Sequence, residues 1–578
     1  MKKTKIICTV GPSTDTPGVI EEMIRAGMDI ARFNFSHGKH EEHLQRIELV
    51  RQAAKKYDKN VALLADTKGP EMRLGMFKEK VELIKGSNFT LTTKEIEGNN
   101  KISSISYAGL PKLLKKGDKL LLSDGLISLQ VEDVQAEEIQ TTVLNGGEIS
   151  SRKRIAAPGV ALDLPFLSEQ DVLDVLFAAK HDMDFIAASF VQRAGDILAI
   201  RKVLEEAGYD LAIVAKIENA EGVSNIDDII KVSDGIMVAR GDLGVEIPAE
   251  HVPLVQKDII SICNSTGTPV ITATQMLESM MNNPRPTRAE ASDIANAILD
   301  GSDAIMLSGE TASGNYPIEA VETMATVAKS TEQALDYEGL LLKNSKQRYV
   351  ATTTDAISHA TVQIAYELNV KAILAATETG HTARMISKHR PKARVIAVTP
   401  HAKSARRMQL YWGIEPLIGT DSDSTDDMVK ATVNTVCQHG KVKTGDLIVI
   451  TAGFPVGVRG TTNMINVMVV DNILLRGTGI GNQTIKARVQ VVKTLAEAKE
   501  LKHSDIAVVH ELNEEITEHV LRALAIISEE EGLTSNAAIV GVSYGIPTVV
   551  GVKDATKILQ SGMDIVVETS RGLIYYGK

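Results

Sequence analysis

Three cysteines in 578 residues, Cys8, Cys263 and Cys437, lie far apart and form no CxxC pair. That excludes a disulfide scaffold and a paired-cysteine zinc site, and it suits a reducing compartment. A basic excess is also missing: 63 Lys and Arg face 74 Asp and Glu, for a formal charge of −11. This balance gives no electrostatic footprint for nucleic acid. Long apolar runs are absent, and nothing approaches a membrane span. The basic start MKKTKIICTVGPS carries an apolar stretch too short for a signal-peptide core. A soluble cytoplasmic protein with no nucleic-acid or membrane partner is expected.

What is present is enough apolar material, 44%, for packed cores, in a chain long enough for three or four domains. Short apolar runs recur: KIICTV (5–10), DIARFNF (29–35), NVALLAD (60–66), FIAASF (185–190), AIVAKIE (212–218), GIMVARGD (235–242), PVITATQ (269–275) and AIMLSGE (304–310). Helix-like stretches at 18–27, 40–56, 194–207, 224–232, 251–266 and 287–300 separate most of them. The last begins with a capping box, Thr287 and Glu290, after Pro286. Alternating strands and helices imply parallel strands. Eight units suggest a closed (β/α)₈ barrel, with an open doubly wound sheet as the alternative.

The spacing breaks between Asp66 and Phe185. VELIKGSNFTLTT, KLLLSDGLISLQVED and EIQTTVL alternate apolar and polar residues around turns, as antiparallel strands do. An inserted β-domain is expected over 70–160, over the catalytic end of a barrel formed by 1–69 and 161–340. The α/β pattern restarts over 341–474, and a fourth unit occupies 475–578. In that unit GTGIG (477–481) reads as a turn. It lacks a preceding βα unit and leads into KARVQVV, which excludes a dinucleotide fingerprint.

VAKIENAEG (214–222) poses the functional question. Lys216 and Glu218 are two apart and share one side of a strand. In a barrel they would join Arg32, Asn34, Ser36, Asp66, Thr67, Lys68, Glu71, Arg73, Arg240, Asp242, Thr274, Ser308 and Glu310 at one mouth. Each residue alone reads as a cap, a turn former or a structural ion pair. Together they pair hard carboxylate donors for a divalent metal, Glu218 and Asp242, with phosphate-binding cations, Arg32, Arg73 and Lys216. ARGDLG adds a glycine turn whose backbone N–H groups suit a carboxylate. Phosphoryl transfer involving a small acid follows.

ARFNFSHG (31–38), DTKGPEMR (66–73), KIENAEG (216–222), MVARGDLGVEIP (237–248), TATQMLESM with NPRPTRAEASDIANAILDG (272–301) and DAIMLSGETASGNYP (303–317) resemble pyruvate kinase, in order, over roughly 1–472. The resemblance implies an α/β protein: a TIM barrel, an inserted β-barrel lid and a C-terminal α/β effector domain, assembled as a homotetramer. It implies conversion of phosphoenolpyruvate and ADP to pyruvate and ATP with Mg²⁺ (or Mn²⁺) and K⁺. Lys216 resembles the catalytic lysine, Arg32 the contact to the substrate phosphate, and Gly241, Asp242 and Thr274 substrate-binding positions. Thr274 also resembles part of a proton relay, with Ser308 and Glu310. Glu218 and Asp242 resemble the Mg²⁺ ligands. Asn34, Ser36, Asp66 and Thr67 resemble a K⁺ site, and Glu71 the residue type of K⁺-dependent members. Arg73 and Lys153 match nucleotide-binding positions, although RKRIAAPG (152–159) stands where the family usually shows a KKGVNLPG-like string.

The same resemblance places a phosphorylated-effector site at Thr377, Thr379, Gly380, Thr382 and Ala383, facing the loop TAGFPVGVRGTTN (451–463). GLTSNAAIVGVSYGIPTVVG (532–551) resembles the mobile, swivelling-type α/β domain of phosphoenolpyruvate-utilising enzymes. Asn536 stands where that family has its phosphate-carrying histidine, and an amide cannot serve as that nucleophile. A phosphoenolpyruvate lyase on a similar barrel would explain the two metal ligands but not the lid, the K⁺ set or the nucleotide arginine. A pseudokinase would need a broken catalytic set, and Lys216, Glu218 and Asp242 are all present.

Overall fold

The computed structural model describes residues 2–123, 125–160, 165–346, 352–421, 424–453, 462–470 and 473–577. The chain forms two compact units, Met1–Val442 with Leu447–Met468, and Lys443–Asp446 with Val469–Lys578.

The first unit is built on a closed barrel of eight parallel strands. They are β1 (Lys5–Thr9), β2 (Ile30–Asn34), β3 (Ala62–Asp66), β4 (Phe185–Ala188), β5 (Ala212–Ile217), β6 (Gly235–Ala239), β7 (Val270–Ala273) and β8 (Ala304–Leu307). β1 pairs with both β2 and β8, so the sheet closes and the open alternative is excluded. Nearly every strand residue is buried, because one face packs inward and the other meets helices. Ile7, Leu64, Phe185, Val214, Met237, Ile271 and Met306 fill the interior, joined by Leu410 from the following α/β segment. The capping box forms: Thr287 Oγ1 accepts from Glu290 N, and helix Arg288–Asp300 starts there.

Between β3 and β4 the chain makes a seven-stranded sheet, antiparallel except where Asn88–Thr92 meets Ile102–Ser104, and a two-stranded ribbon. Its core of Phe89, Leu91, Leu120, Leu129, Val131 and Ile139 is separate from the barrel's. Because it leaves after β3 and returns before helix Glu169–Lys180, which leads into β4, it stands over the C-terminal mouth.

The α/β segment after the barrel carries four parallel strands, Ile414–Ile418, Arg394–Thr399, Ala372–Ala376 and Leu447–Ala452, with Met464–Val469 at the edge. Arg390 ties it to the barrel. Its guanidinium donates to Asp303 Oδ1 at 2.7 Å, Asn264 Oδ1 at 2.8 Å and the Gly301 carbonyl at 2.6 Å, and lies over Trp412. Arg390→Ala strands a buried Asp303 carboxylate and costs about 3 kcal/mol. A melting temperature several degrees lower is expected. A fall of less than about one degree would show that the pair adds nothing.

The second unit has an eight-stranded sheet with Thr484–Val492, Asp505–Val509, Ala525–Ser528 and Thr548–Val550 as its parallel centre. GTGIG is not simply a turn: Thr478–Ile480 is an edge strand, antiparallel to Thr548–Val550, and the turn falls at Gly481. AAIVGV lies in helix Asn536–Tyr544, capped by Ser535 and ended by left-handed Gly545.

Candidate active site

Lys216 is at the centre. It lies near the end of β5, and its ammonium is buried. Nζ is 2.9 Å from Asp66 Oδ1, 2.7 Å from Ser189 Oγ and 3.1 Å from Glu218 Oε1. The other oxygen of Asp66 accepts from Arg32 Nε at 2.7 Å, and a second Arg32 nitrogen donates to Thr9 Oγ1 at 2.8 Å. Glu218 Oε2 accepts from Phe190 N at 2.6 Å. Side chains from β1, β2, β3 and β5, with Ser189 and Phe190 just after β4, therefore form one continuous polar chain. Only parallel closure brings their C-terminal ends together.

Burial works against each charge and the neighbours decide the outcome. For Lys216, burial alone would lower the pKa; Asp66 and then Glu218 outweigh it and raise it. For Asp66, burial alone would raise the pKa, but Lys216 and Arg32 pull it below the usual carboxylate range. Glu218 is pushed up by burial, which Lys216 only partly offsets, and Asp242 and Asp66 add repulsion. Lys216 is thus fixed as a cation whose first partner is Asp66. The charged form of Glu218 is disfavoured here, and a bound metal would stabilise it.

Asp242 lies in the first turn of helix Arg240–Glu246. ARGDLG is therefore helical, not an open glycine turn. Gly241 N already donates to Thr274 Oγ1 at 2.7 Å, so the expected carboxylate cradle is partly occupied. Thr274 Oγ1 in turn donates to the Ala273 carbonyl. Arg240 braces this corner through Asp293 Oδ1 at 2.8 Å and the Thr274 carbonyl at 2.7 Å. Thr274, Gln275 and Phe190 have φ of 69°, 55° and 57°. Left-handed backbone is strained for a β-branched or bulky residue, and such strain concentrates at functional sites.

The other expected residues fall into distinct groups. Asn34 and Asp66 are register partners on β2 and β3, with Ser36 and Thr67 just beyond. Asn34 Oδ1 accepts from Ser36 N at 3.1 Å. Arg73 lies on lid strand Met72–Arg73 and pairs with Glu71 Oε2 at 2.5 Å. Lys153 has an exposed side chain. Its neighbour Arg154, missed from the sequence, enters the site and bonds Asp242 Oδ1, with its guanidinium 4.7 Å from the Phe190 ring centroid. Alternation was the available signal: Ile155 faces the lid core, so Arg154 must face the opposite way. Glu310 is buried and held in place by two backbone donors, accepting from Leu277 N and Ser308 N. Ser308 Oγ is buried with no hydrogen-bond partner among the described residues.

Glu71, Arg154, Phe190, Asn219 and Glu246 line a cleft of about 370 Å³ between lid and barrel. Among the described residues no three acidic, His or Cys side chains form a complete metal cage. The donor set still fits Mg²⁺, which takes one or two carboxylates and fills its shell with water and substrate oxygens. Arg154 on Asp242 already marks a cation position.

Away from the mouth, Gly380 has φ 87° and donates to Thr377 Oγ1 at 3.0 Å. Thr382 Oγ1 lies 2.8 Å from Thr462 Oγ1, and Ala383 is buried beside it, while Thr379 is exposed. Residues 454–461 of the string TAGFPVGVRGTTN lie outside the described residues.

A parallel barrel with carboxylates and buried cations at its mouth and a lid above it defines a class of barrel enzymes built for metal-assisted chemistry on anionic substrates. Three family models match in succession: the pyruvate kinase barrel domain over 1–321, the pyruvate kinase alpha/beta domain over 355–468, and the mobile domain of PEP-utilising enzymes over 501–572. The chain belongs to the pyruvate kinase family. It is 48% identical over 582 residues to the pyruvate kinase of Sporosarcina psychrophila, covering 100% of this chain and 99% of that one. The same figures hold for the pyruvate kinases of Staphylococcus aureus strains USA300 and COL. The family generally needs divalent and monovalent cations. No described helix is long and apolar enough to cross a membrane.

Proposed function

We propose that this enzyme transfers the phosphoryl group of phosphoenolpyruvate to ADP, using Mg²⁺ or Mn²⁺ at Glu218 and Asp242 and K⁺ at Asn34, Ser36, Asp66 and Thr67. The observation that carries this reading is the buried Lys216 ammonium, held between Asp66, Ser189 and Glu218 at the mouth. An ADP oxygen attacks phosphorus, the bond to the enol oxygen breaks, and its electron pair stays on the enolate of pyruvate. Lys216 and Arg32 face the oxygens over which charge spreads. When bound, the divalent cation supplies further neutralisation for those oxygens and for the leaving enolate. Carbon protonation is assigned to a relay that includes Thr274 and Ser308; the Ser308 Oγ is buried with no hydrogen-bond partner among the described residues. Arg73 and Lys153 serve the nucleotide. The working form is a cytoplasmic homotetramer.

The test is pyruvate formation from phosphoenolpyruvate and ADP with Mg²⁺, with and without K⁺. Turnover should vanish without Mg²⁺ and fall about tenfold or more without K⁺, or ~1.4 kcal/mol of barrier. Full turnover without K⁺ would remove the Asn34, Ser36, Asp66 and Thr67 assignment but keep the reaction.

The loop and helix start at Thr377, Thr379, Gly380, Thr382 and Ala383 take a phosphorylated metabolite. Support comes from the αL glycine at the helix start and the paired hydroxyls of Thr382 and Thr462. Thr382→Glu should abolish rate activation by fructose bisphosphate, AMP or ribose 5-phosphate, whichever activates the wild type. A response that survives would move the site elsewhere.

A further inference from the structure

Arg154 is a departure with a structural consequence. It stands at the glycine of the KKGVNLPG-like family string, on lid strand Arg154–Ala156, in register with Arg73. Ile155 anchors that strand in the lid core. The Arg154 side chain is only 12% exposed and bonds Asp242 Oδ1 across the lid–barrel cleft. Phe190 serves both partners of the candidate metal site: its ring supports the Arg154 guanidinium, and its N–H holds Glu218 Oε2 at 2.6 Å. Glu218, Glu71 and Glu246 also act on the guanidinium charge. An arginine in this place is charged at every working pH.

We propose that Arg154 is a resident cation: in the metal-free enzyme its guanidinium takes the place of the divalent cation on Asp242, and the metal enters by displacing it. This rests on the assignment of Glu218 and Asp242 as metal ligands. The physical argument is competition for one carboxylate. A guanidinium and a divalent cation that share Asp242 repel each other in a half-dry cleft, so each weakens the other's hold. Because Arg154 belongs to the lid and Asp242 to the barrel, displacement also releases the lid. A glycine at 154 would leave Asp242 without this cation and remove the ion pair between lid and barrel.

The experiment is Mn²⁺ binding to the full chain without phosphoenolpyruvate or nucleotide, with free Mn²⁺ counted by its EPR signal. Arg154→Gly and Arg154→Gln should each bind Mn²⁺ about three- to tenfold more tightly than wild type, the range a partly buried ion pair supports. Either variant suffices if the other does not fold. In the wild type, Mn²⁺ should quicken amide exchange at 153–157; in the variants exchange should be fast already and indifferent to Mn²⁺. Unchanged or weaker binding in the folded variants, or wild-type exchange that ignores Mn²⁺, would overturn the proposal. The double variant Glu218→Gln, Asp242→Asn separates the two ideas. If it binds Mn²⁺ like wild type, the ligand assignment fails; if it loses Mn²⁺ while the Arg154 variants match wild type, only the resident cation fails.

Discussion

Lys216→Met lowers turnover at saturating substrates by about 10³-fold or more, while KM for phosphoenolpyruvate stays within about threefold. The side chain of methionine is close in length and fills the same space, so the change isolates the charge. The change removes the cation shared by two buried carboxylates and costs about 3 kcal/mol, but partners remain: Asp66 keeps Arg32 Nε at 2.7 Å and Ser189 Oγ at 3.2 Å, and Glu218 keeps Phe190 N. What disappears is a cation pre-positioned where charge develops. Such a group is worth more in a site walled from water than in solvent, because nothing has to reorganise as the reaction proceeds. On the proposed reading Arg32 keeps its ground-state contact to the phosphate, so binding survives.

Steady-state rates of pyruvate formation check this, with Lys216→Arg as the companion. Arginine keeps the charge, but its planar fork cannot reproduce three contacts converging on one nitrogen, so it recovers little. Near-normal turnover in Lys216→Met would take Lys216 out of the chemistry and leave it as the counter-ion of Asp66. A rise in KM with turnover preserved would make it a binding group only.

Much of the barrel was legible because its strands are buried on both faces and therefore read as unbroken apolar runs, and because its helices carry local start and stop signals such as Thr287–Glu290 and the left-handed Gly301. The polar residues at strand ends could be collected once the strands were counted. What resisted reading depends on non-local partners. Thr478–Ile480 is a strand only because Thr548–Val550 lies beside it, about seventy residues away in sequence. Asp242 looks like a loop acid, yet Arg240–Glu246 is helical. Glu310 is held by the N–H groups of Ser308 and Leu277, and only the folded barrel brings Leu277 to it. Arg154 is one of three consecutive basic residues, and only the direction of the lid strand tells which of them meets Asp242.

Glu218→Gln combined with Asp242→Asn abolishes metal-dependent turnover, with a loss of at least about 10³-fold that added Mn²⁺ does not restore. The two carboxylates sit at the ends of adjacent strands β5 and β6, one buried against Phe190 N and the other paired with Arg154. Amide oxygens of the same shape keep some coordination but lose both negative charges, and charge is what draws a small, strongly hydrated dication out of water. The fold pays little for the change. Burial already opposes the Glu218 charge and Asp242 and Asp66 repel it, so a neutral amide relieves one strain while it weakens the contact to Lys216. Thermal unfolding then separates site from scaffold. Wild type should gain melting temperature with Mn²⁺, because a ligand bound only by the folded state stabilises it by mass action, whereas the double variant should melt within a few degrees of metal-free wild type and ignore Mn²⁺. A variant that still shifts with Mn²⁺ would place the divalent cation on other oxygens. One that melts far lower would mean the carboxylates hold the barrel mouth together and that the lost activity says nothing about metal.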